Sequence, residues 1–296
     1  MRHLLYERVV LRKPLQYILG SQPFLSLDLR VQPPTLIPRP ETEEWTDKLA
    51  TLLASHAPAS PSPSALPGRR PWRILDLCTG TGCIALGLAS SMPARSCHIV
   101  GIDKSAEAVE LARENSRAHQ SRLRSNPVHF AQMDLRANDA VARLLHHSAT
   151  LPSSSAMLPP AARLAGYDLI VANPPYVTRD EYADLAPEVR NWEDHDALVP
   201  PALTSQPATF HTLGISLYAL IIELAPKLLL LSPDQSSTSS TSTSTSMSLP
   251  QLAMEIGGAH QVAPITALLN QLGCRVSLWH DFARQPRVIL ARFPSH

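Results

Sequence analysis

The chain has 296 residues, 44% hydrophobic and 17% charged, enough apolar matter for one large domain or two small ones. Lys and Arg total 26 against 25 Asp and Glu; a net charge of +1 is not the footprint of a duplex-DNA binder, local patches aside. The four cysteines (Cys78, Cys83, Cys97, Cys274) form no C-x-x-C pair and no His cluster has metal-ligand spacing, so free thiols in a reducing compartment and no metal are expected.

The elements follow in chain order. Residues 1–11 read as the end of a helix, basic at Arg2, Arg8, Arg12 and Lys13 but with no evident signal peptide. Gln16–Leu19, a turn at Gly20, and Phe24–Val31 read as the two strands of a hairpin. Thr35–Glu43 is a proline-braced loop opening a helix that runs to about Ser55, with Thr42 or the acidic residues at its N-terminus. The Pro/Ser/Ala-rich segment 57–70 is expected to be a disordered connection.

Strand and helix patterns then alternate: Arg73–Leu77, Ile84–Ser91, His98–Ile102, Ala106–His119, Val128–Gln132. A Ser/Pro-rich insert at 148–160 interrupts them before a strand at Asp168–Ala172. The run Leu213–Leu231 is the most apolar, but Glu223, Pro226 and Lys227 interrupt it, so it reads as a buried helix rather than a membrane span. A Ser/Thr tract occupies most of 233–250 and reads as a loop. Leu252–Ile256, Pro264–Leu272, Arg275–Trp279 and Arg287–Phe293 then read as strand, helix, strand and strand. The pattern predicts an α/β fold: a mostly parallel, Rossmann-like sheet with an antiparallel C-terminal edge hairpin, preceded by the short β-hairpin.

Two strand ends carry chemistry. Ile74–Leu77 runs into Cys78-Thr79-Gly80-Thr81-Gly82 and a helix, where Gly80 and Gly82 allow a sharp turn and close approach of a ligand. Asp103 ends the next strand, about twenty residues on, as an acid that binds ribose hydroxyls does in nucleotide-binding folds. The turn lacks G-x-G-x-x-G spacing and a basic residue, and Asp76 stands beside it, able to accept from an ammonium group. A cationic ligand such as S-adenosylmethionine fits better than a pyrophosphate. Asn173-Pro174-Pro175-Tyr176 closes the strand Asp168–Ala172. The prolines hold a rigid, donor-free segment whose carbonyls, with the Asn173 oxygen, can grip a planar NH2 on an amide or an exocyclic base amine. Tyr176 offers a face to stack on it.

Together these segments resemble the HemK/PrmC family of protein glutamine-N5 methyltransferases. The match rests on Pro14–Gly20 with Phe24, Leu36–Glu43, the Asp76–Gly82 turn, Asn173–Tyr176, Ala197–Val199 and Glu255–Gly257. The short form of the turn looks like eukaryotic, organellar members. The resemblance implies an S-adenosylmethionine-dependent, metal-free, monomeric enzyme that methylates the Gly-Gly-Gln glutamine of a peptide release factor, with the mitochondrial matrix favoured and the cytoplasm the alternative. It implies that Asp76, Cys78, Thr79, Gly80, Thr81, Gly82, Asp103, Leu135 and Asn173 contact the donor. Asn173, Pro174, Pro175 and Tyr176, with Arg39 and Glu41, would hold the glutamine; Asn173, Pro174 and Tyr176 would be catalytic, with no general base. It also divides the chain into 1–35, a remnant of an N-terminal domain plus the hairpin linker, and 36–296, the methyltransferase domain. Two rivals stay open. The tetrapeptide alone also admits adenine-N6 and cytosine-N4 DNA methyltransferases; against a nucleic-acid amino methyltransferase the neutral charge and 5% aromatic content count. A catalytically inactive scaffold is the other.

Overall fold

The computed structural model describes residues 2–56, 70–150, 165–230 and 249–294, so most of the three expected inserts lie outside the described residues. Helix α1 (Arg2–Val9) leads to the one-turn helix α2 (Leu15–Leu19), then to an antiparallel hairpin, β1 (Ser21–Phe24) and β2 (Leu27–Arg30). This corrects the expected strand at Gln16–Leu19. Pro14 precedes the first turn and Gly20, at φ +81°, closes it, its N–H donating to Gln16 O at 2.7 Å. A proline start and a left-handed glycine stop outweigh the strand bias of Tyr17 and Ile18.

Helix α3 (Pro40–Ala54) follows, with proline in its first turn beside Glu41 and Glu43. It buries Thr42, Trp45, Thr46, Leu49 and Leu53 along one face. The doubly wound part begins with β3 (Trp72–Leu77), α4 (Cys83–Ser91), β4 (Cys97–Asp103), α5 (Ala106–Ala118), β5 (Val128–Gln132), α6 (Ala140–Thr150) and β6 (Leu169–Ala172). The expected insert starts later than Ser148: that residue is buried in α6, and its hydroxyl donates to Gly166 O at 2.5 Å. Four short helices follow β6: α7 (Arg179–Asp184), α8 (Pro187–Arg190), α9 (His195–Leu198) and α10 (Ala208–Thr212). The chain closes with α11 (Ser216–Leu228), β7 (Leu252–Glu255), α12 (Ala259–Gln271), β8 (Arg275–His280) and β9 (Pro286–Arg292).

The seven-stranded sheet has the order β5-β4-β3-β6-β7-β9-β8, parallel through β7 and antiparallel at β9 and β8. Its centre is apolar: Ile74, Leu75, Leu77, Ile170 and Val171 are fully buried, and each such side chain stabilises the fold by about 1.5–3 kcal/mol. One face packs on α6, α11 and α12. The other packs on α3, α4 and α5, and the hairpin joins that same cluster through Phe24, Leu27 and Leu29. Strand order reverses between β3 and β6, the two neighbours from which the chain winds outward in opposite directions. In open α/β sheets ligands bind beyond the carboxyl ends of strands at such a switch point.

Candidate active site

The register decides what meets at the switch point. Leu77 of β3 pairs with Ala172 of β6, and Ala172 pairs with Met254 of β7. Cys78 and Asn173 therefore leave the sheet side by side, next to Glu255 at the end of β7, about 5 Å apart strand to strand. The glycine turn and the Asn-Pro-Pro-Tyr segment, 91 residues apart at their nearest point of sequence (173 minus 82), become neighbours.

Within the turn Cys78, Gly80 and Gly82 sit at φ 60°, 55° and 83°. A side chain on Gly82 would also lie 2.9 Å from the Phe130 ring. Gly80 N–H donates to Asp103 Oδ2 at 2.9 Å and Ser105 N–H to Oδ1 at 3.0 Å, which fixes both carboxylate oxygens and leaves lone pairs on each. Behind the turn Asp76 is fully buried and accepts from the Thr79 hydroxyl at 2.5 Å. Burial pushes its pKa up to about 7, against the hydrogen bond from Thr79; Oδ1 is buried with no hydrogen-bond partner among the described residues. Asn115 of α5 ties the hairpin to the turn, accepting from Arg30 N–H and donating to Arg30 O and Thr81 O.

A cleft of about 900 Å³, mouth included, opens beyond these strand ends. Of the residues expected to meet a donor, Cys78, Gly80, Asp103, Leu135 and Asn173 line it. Asp76, Thr79, Thr81 and Gly82 pack behind the lining. Pro175 also lines it; Pro174, equally buried, and Tyr176 do not. The lining holds four acids, Asp103, Asp134, Asp194 and Asp196, against two bases, Lys104 and Arg136. Lys104 pairs with Asp196 across the mouth, and Arg136 holds Asp134 at 2.5 Å and lowers its pKa. An acidic excess beside an apolar wall of Leu36, Ile102, Met133 and Leu217 suits a nucleoside bearing positive charge. Asp134 is the neighbour of Leu135, whereas Asp194 caps α9 and Asp196 lies in it, just before the Ala197–Val199 segment.

The other half of the site is held by polar side chains from three elements. Asn173 Nδ2 donates to Thr42 Oγ1 at 3.3 Å; that hydroxyl donates to Glu255 Oε2 at 2.6 Å; Trp45 Nε1 donates to the same oxygen at 2.7 Å. Burial raises the Glu255 pKa, opposed by these two donors and by Arg287. Among the described residues no donor reaches Asn173 Oδ1, which belongs to a cleft-lining side chain. Tyr176 lies against Gly257, where a Cβ would come within 2.7 Å of its ring. Gln261 donates to the Tyr176 carbonyl at 3.1 Å, and Val177 N–H donates to Leu198 O at 2.9 Å, which seats the Ala197–Val199 loop on the motif. Arg39 forms a 2.5 Å ion pair with the buried Glu193. Glu41 lines a separate pocket with Trp45, Lys48 and Arg287. Neither Arg39 nor Glu41 lines the main cleft, although both act electrostatically on the Tyr176 phenol, whose pKa burial raises. Thr42 and Glu255 lie in two of the segments that carry the resemblance, Leu36–Glu43 and Glu255–Gly257; Gln261 lies in none of them.

Comparison with known proteins adds to this geometry. A family profile described as a methyltransferase domain matches residues 70–141, the turn and Asp103 included. The chain is 35% identical over 227 residues to the human MTRF1L release factor glutamine methyltransferase, covering 76% of this chain and 55% of that protein. It is 32% identical over 285 residues to a release factor glutamine methyltransferase of Cereibacter sphaeroides, covering 96% of this chain and 76% of the relative. It is 27% identical over 282 residues to the probable MRF1 mitochondrial N(5)-glutamine methyltransferase mtq1 of Schizosaccharomyces pombe, covering 94% and 74%. The matched region spans 55% of the human relative, and 60% and 59% of the release factor glutamine methyltransferases of Geobacter sulfurreducens and Chlorobaculum tepidum, a little over half of each.

Proposed function

The chain belongs to the release factor glutamine methyltransferase family, and from that premise we propose that it methylates the side-chain nitrogen of the glutamine in the Gly-Gly-Gln loop of a peptide release factor. The observation that carries this reading is the adjacency of two unlike half-sites. An acid-rich cleft meets a rigid segment with an uncommitted amide oxygen at Asn173.

S-adenosylmethionine, when bound, supplies a methyl group on a positively charged sulfur. The cleft fits such a ligand: Asp103 presents two fixed oxygens toward a ribose, Leu135 and Met133 offer an apolar wall, and the acidic excess favours a cation. Asn173 Oδ1 and the Pro174 carbonyl accept the two N–H groups of the substrate amide. An amide nitrogen is a poor nucleophile because its lone pair is delocalised into the carbonyl, so orientation and electrostatic preorganisation are what the protein contributes. Proline at 174 and 175 removes competing donors from this wall. Tyr176, braced by Gly257 and Gln261, forms the flank. No step requires a general base, since the proton can leave to water after transfer.

The relative whose name carries the word mitochondrial supports the mitochondrial matrix as the place of action. No described helix is long and apolar enough to cross a membrane. The test is direct. Incubation with S-adenosylmethionine and a mitochondrial release factor, followed by mass spectrometry of the Gly-Gly-Gln peptide, should give one methyl group on the glutamine. A peptide left unmodified under conditions where the enzyme binds S-adenosylmethionine would overturn the reading.

A further inference from the structure

The side-chain amide of Asn173 can sit in two orientations that differ only in exchanging oxygen and nitrogen. One presents an acceptor to the cleft, the other two N–H groups. A substrate NH2 is a donor, so the second orientation would set donor against donor. Something must select the first, and the selector lies outside the motif.

Thr42 and Trp45 are three residues apart on α3 and so share one face. Both reach Glu255 Oε2, at 2.6 and 2.7 Å. The indole N–H is a donor and nothing else, which marks Oε2 as an acceptor. The Thr42 hydroxyl spends its one hydrogen on that oxygen and is left with lone pairs only. Toward Asn173 it can therefore accept but not donate. Asn173 Nδ2 faces it at 3.3 Å; the flipped amide would set oxygen lone pairs against oxygen lone pairs. Glu255, Thr42 and Trp45 are 1%, 1% and 3% exposed, so water does not compete for these bonds. None of the three lines the donor cleft.

We propose that Thr42 and Glu255 are positioning residues: the Trp45–Glu255–Thr42 relay fixes the Asn173 amide with Oδ1 turned to the substrate nitrogen. The proposal rests on the methyl-transfer reading above and adds to it the residues that set the acceptor. It also gives a physical reason for a glutamate at the end of β7, where a buried carboxylate would otherwise be costly.

The experiment combines Thr42→Val, which keeps the shape and removes the hydroxyl, with Thr42→Ser, which restores the hydroxyl, in the single and Asn173→Ala backgrounds. With a release factor as acceptor, Thr42→Val should lower kcat on the order of 10–100-fold. KM for S-adenosylmethionine should stay within about twofold, and Thr42→Ser should recover kcat to within about threefold. In the Asn173→Ala background Thr42→Val should cost less than about twofold, since the group it orients is gone. Equal fold-losses in both backgrounds, or no rescue by serine, would overturn the relay. A second readout needs no turnover. In the wild type one Asn173 Nδ2 hydrogen should be protected from solvent exchange by NMR; Thr42→Val should abolish the protection and Thr42→Ser should keep it. Protection unchanged in Thr42→Val would also overturn the relay. Protection behaving as expected in an enzyme that never methylates a release factor would uphold the relay and overturn the substrate.

Discussion

Gln261 holds the back of the Asn-Pro-Pro-Tyr segment: its Nε2 donates to the Tyr176 carbonyl at 3.1 Å and to the Leu213 carbonyl at 3.0 Å, while its Oε1 accepts from Gly257 N–H at 2.8 Å. The side chain is fully buried, with polar partners at both ends of its amide. Replacing it with Leu leaves two carbonyls and one N–H unpaired in the protein interior. Unpaired buried groups cost about 1–3 kcal/mol each, so Gln261→Leu should destabilise the fold by roughly 3–5 kcal/mol. Urea unfolding should show a lower midpoint at an unchanged slope.

Gly257 is the second brace. Its absent side chain leaves room for the Tyr176 ring, which a Cβ would approach to 2.7 Å. Gly257→Ala must push the ring or tilt the strand end. We expect kcat to fall on the order of tenfold or more while affinity for S-adenosylmethionine, set at the neighbouring turn, changes less than about threefold. Steady-state kinetics with calorimetric titration separates the two.

Asp103 is the donor-side counterpart. Its oxygens accept Gly80 and Ser105 N–H groups. Asp103→Asn turns one acceptor into a donor, so one backbone N–H loses its partner and the ribose loses a charged acceptor. Affinity for S-adenosylmethionine should drop about 10–100-fold, the equivalent of one or two charge-assisted hydrogen bonds. Calorimetric titration checks it.

Asp76 makes stability depend on pH. Its folded pKa, about 7, stands above the ordinary aspartate value of 3.8. An acid with a raised folded pKa contributes stability fully present below the unfolded value and lost as pH rises through the folded value. Wild-type stability should therefore fall between pH 4 and about 7 relative to Asp76→Asn, which cannot titrate. The difference between the two proteins should shift toward the variant by roughly 4 kcal/mol over that window, at about 1.4 kcal/mol per pH unit. Denaturant melts at several pH values read it.

The strand ends were legible because their signals are local. Apolar runs of four to seven residues stop at glycines or prolines, and those breakers mark where chemistry can sit. The parallel sheet, its antiparallel edge and the pairing of the Gly80 turn with Asp103 follow from such marks. Gln16–Leu19 was misread because a one-turn helix has too few residues to show a period; its signs were Pro14 and Gly20. Thr42 and Glu255 stand in segments that carry the resemblance, but nothing local shows that they meet each other and Asn173, and Gln261 carries no mark at all. Thr42 is 131 residues from Asn173 and 213 from Glu255, and a polar residue inside an apolar run does not say which distant partner satisfies it. The acids Asp194 and Asp196 adjoin the Ala197–Val199 segment, but only the fold, which sets α9 at the cleft, shows that they face the donor side.

Removing the Asn173 side chain tests the whole site at once. Asn173→Ala should reduce kcat for methylation of the release-factor glutamine by about 10²–10³-fold, the loss expected from one preorganised polar contact to the reacting group. Its melting temperature and its affinity for S-adenosylmethionine should remain close to those of the wild type. Turnover within about threefold of the wild type in a folded, donor-binding Asn173→Ala protein would contradict the assignment of the amide-gripping oxygen.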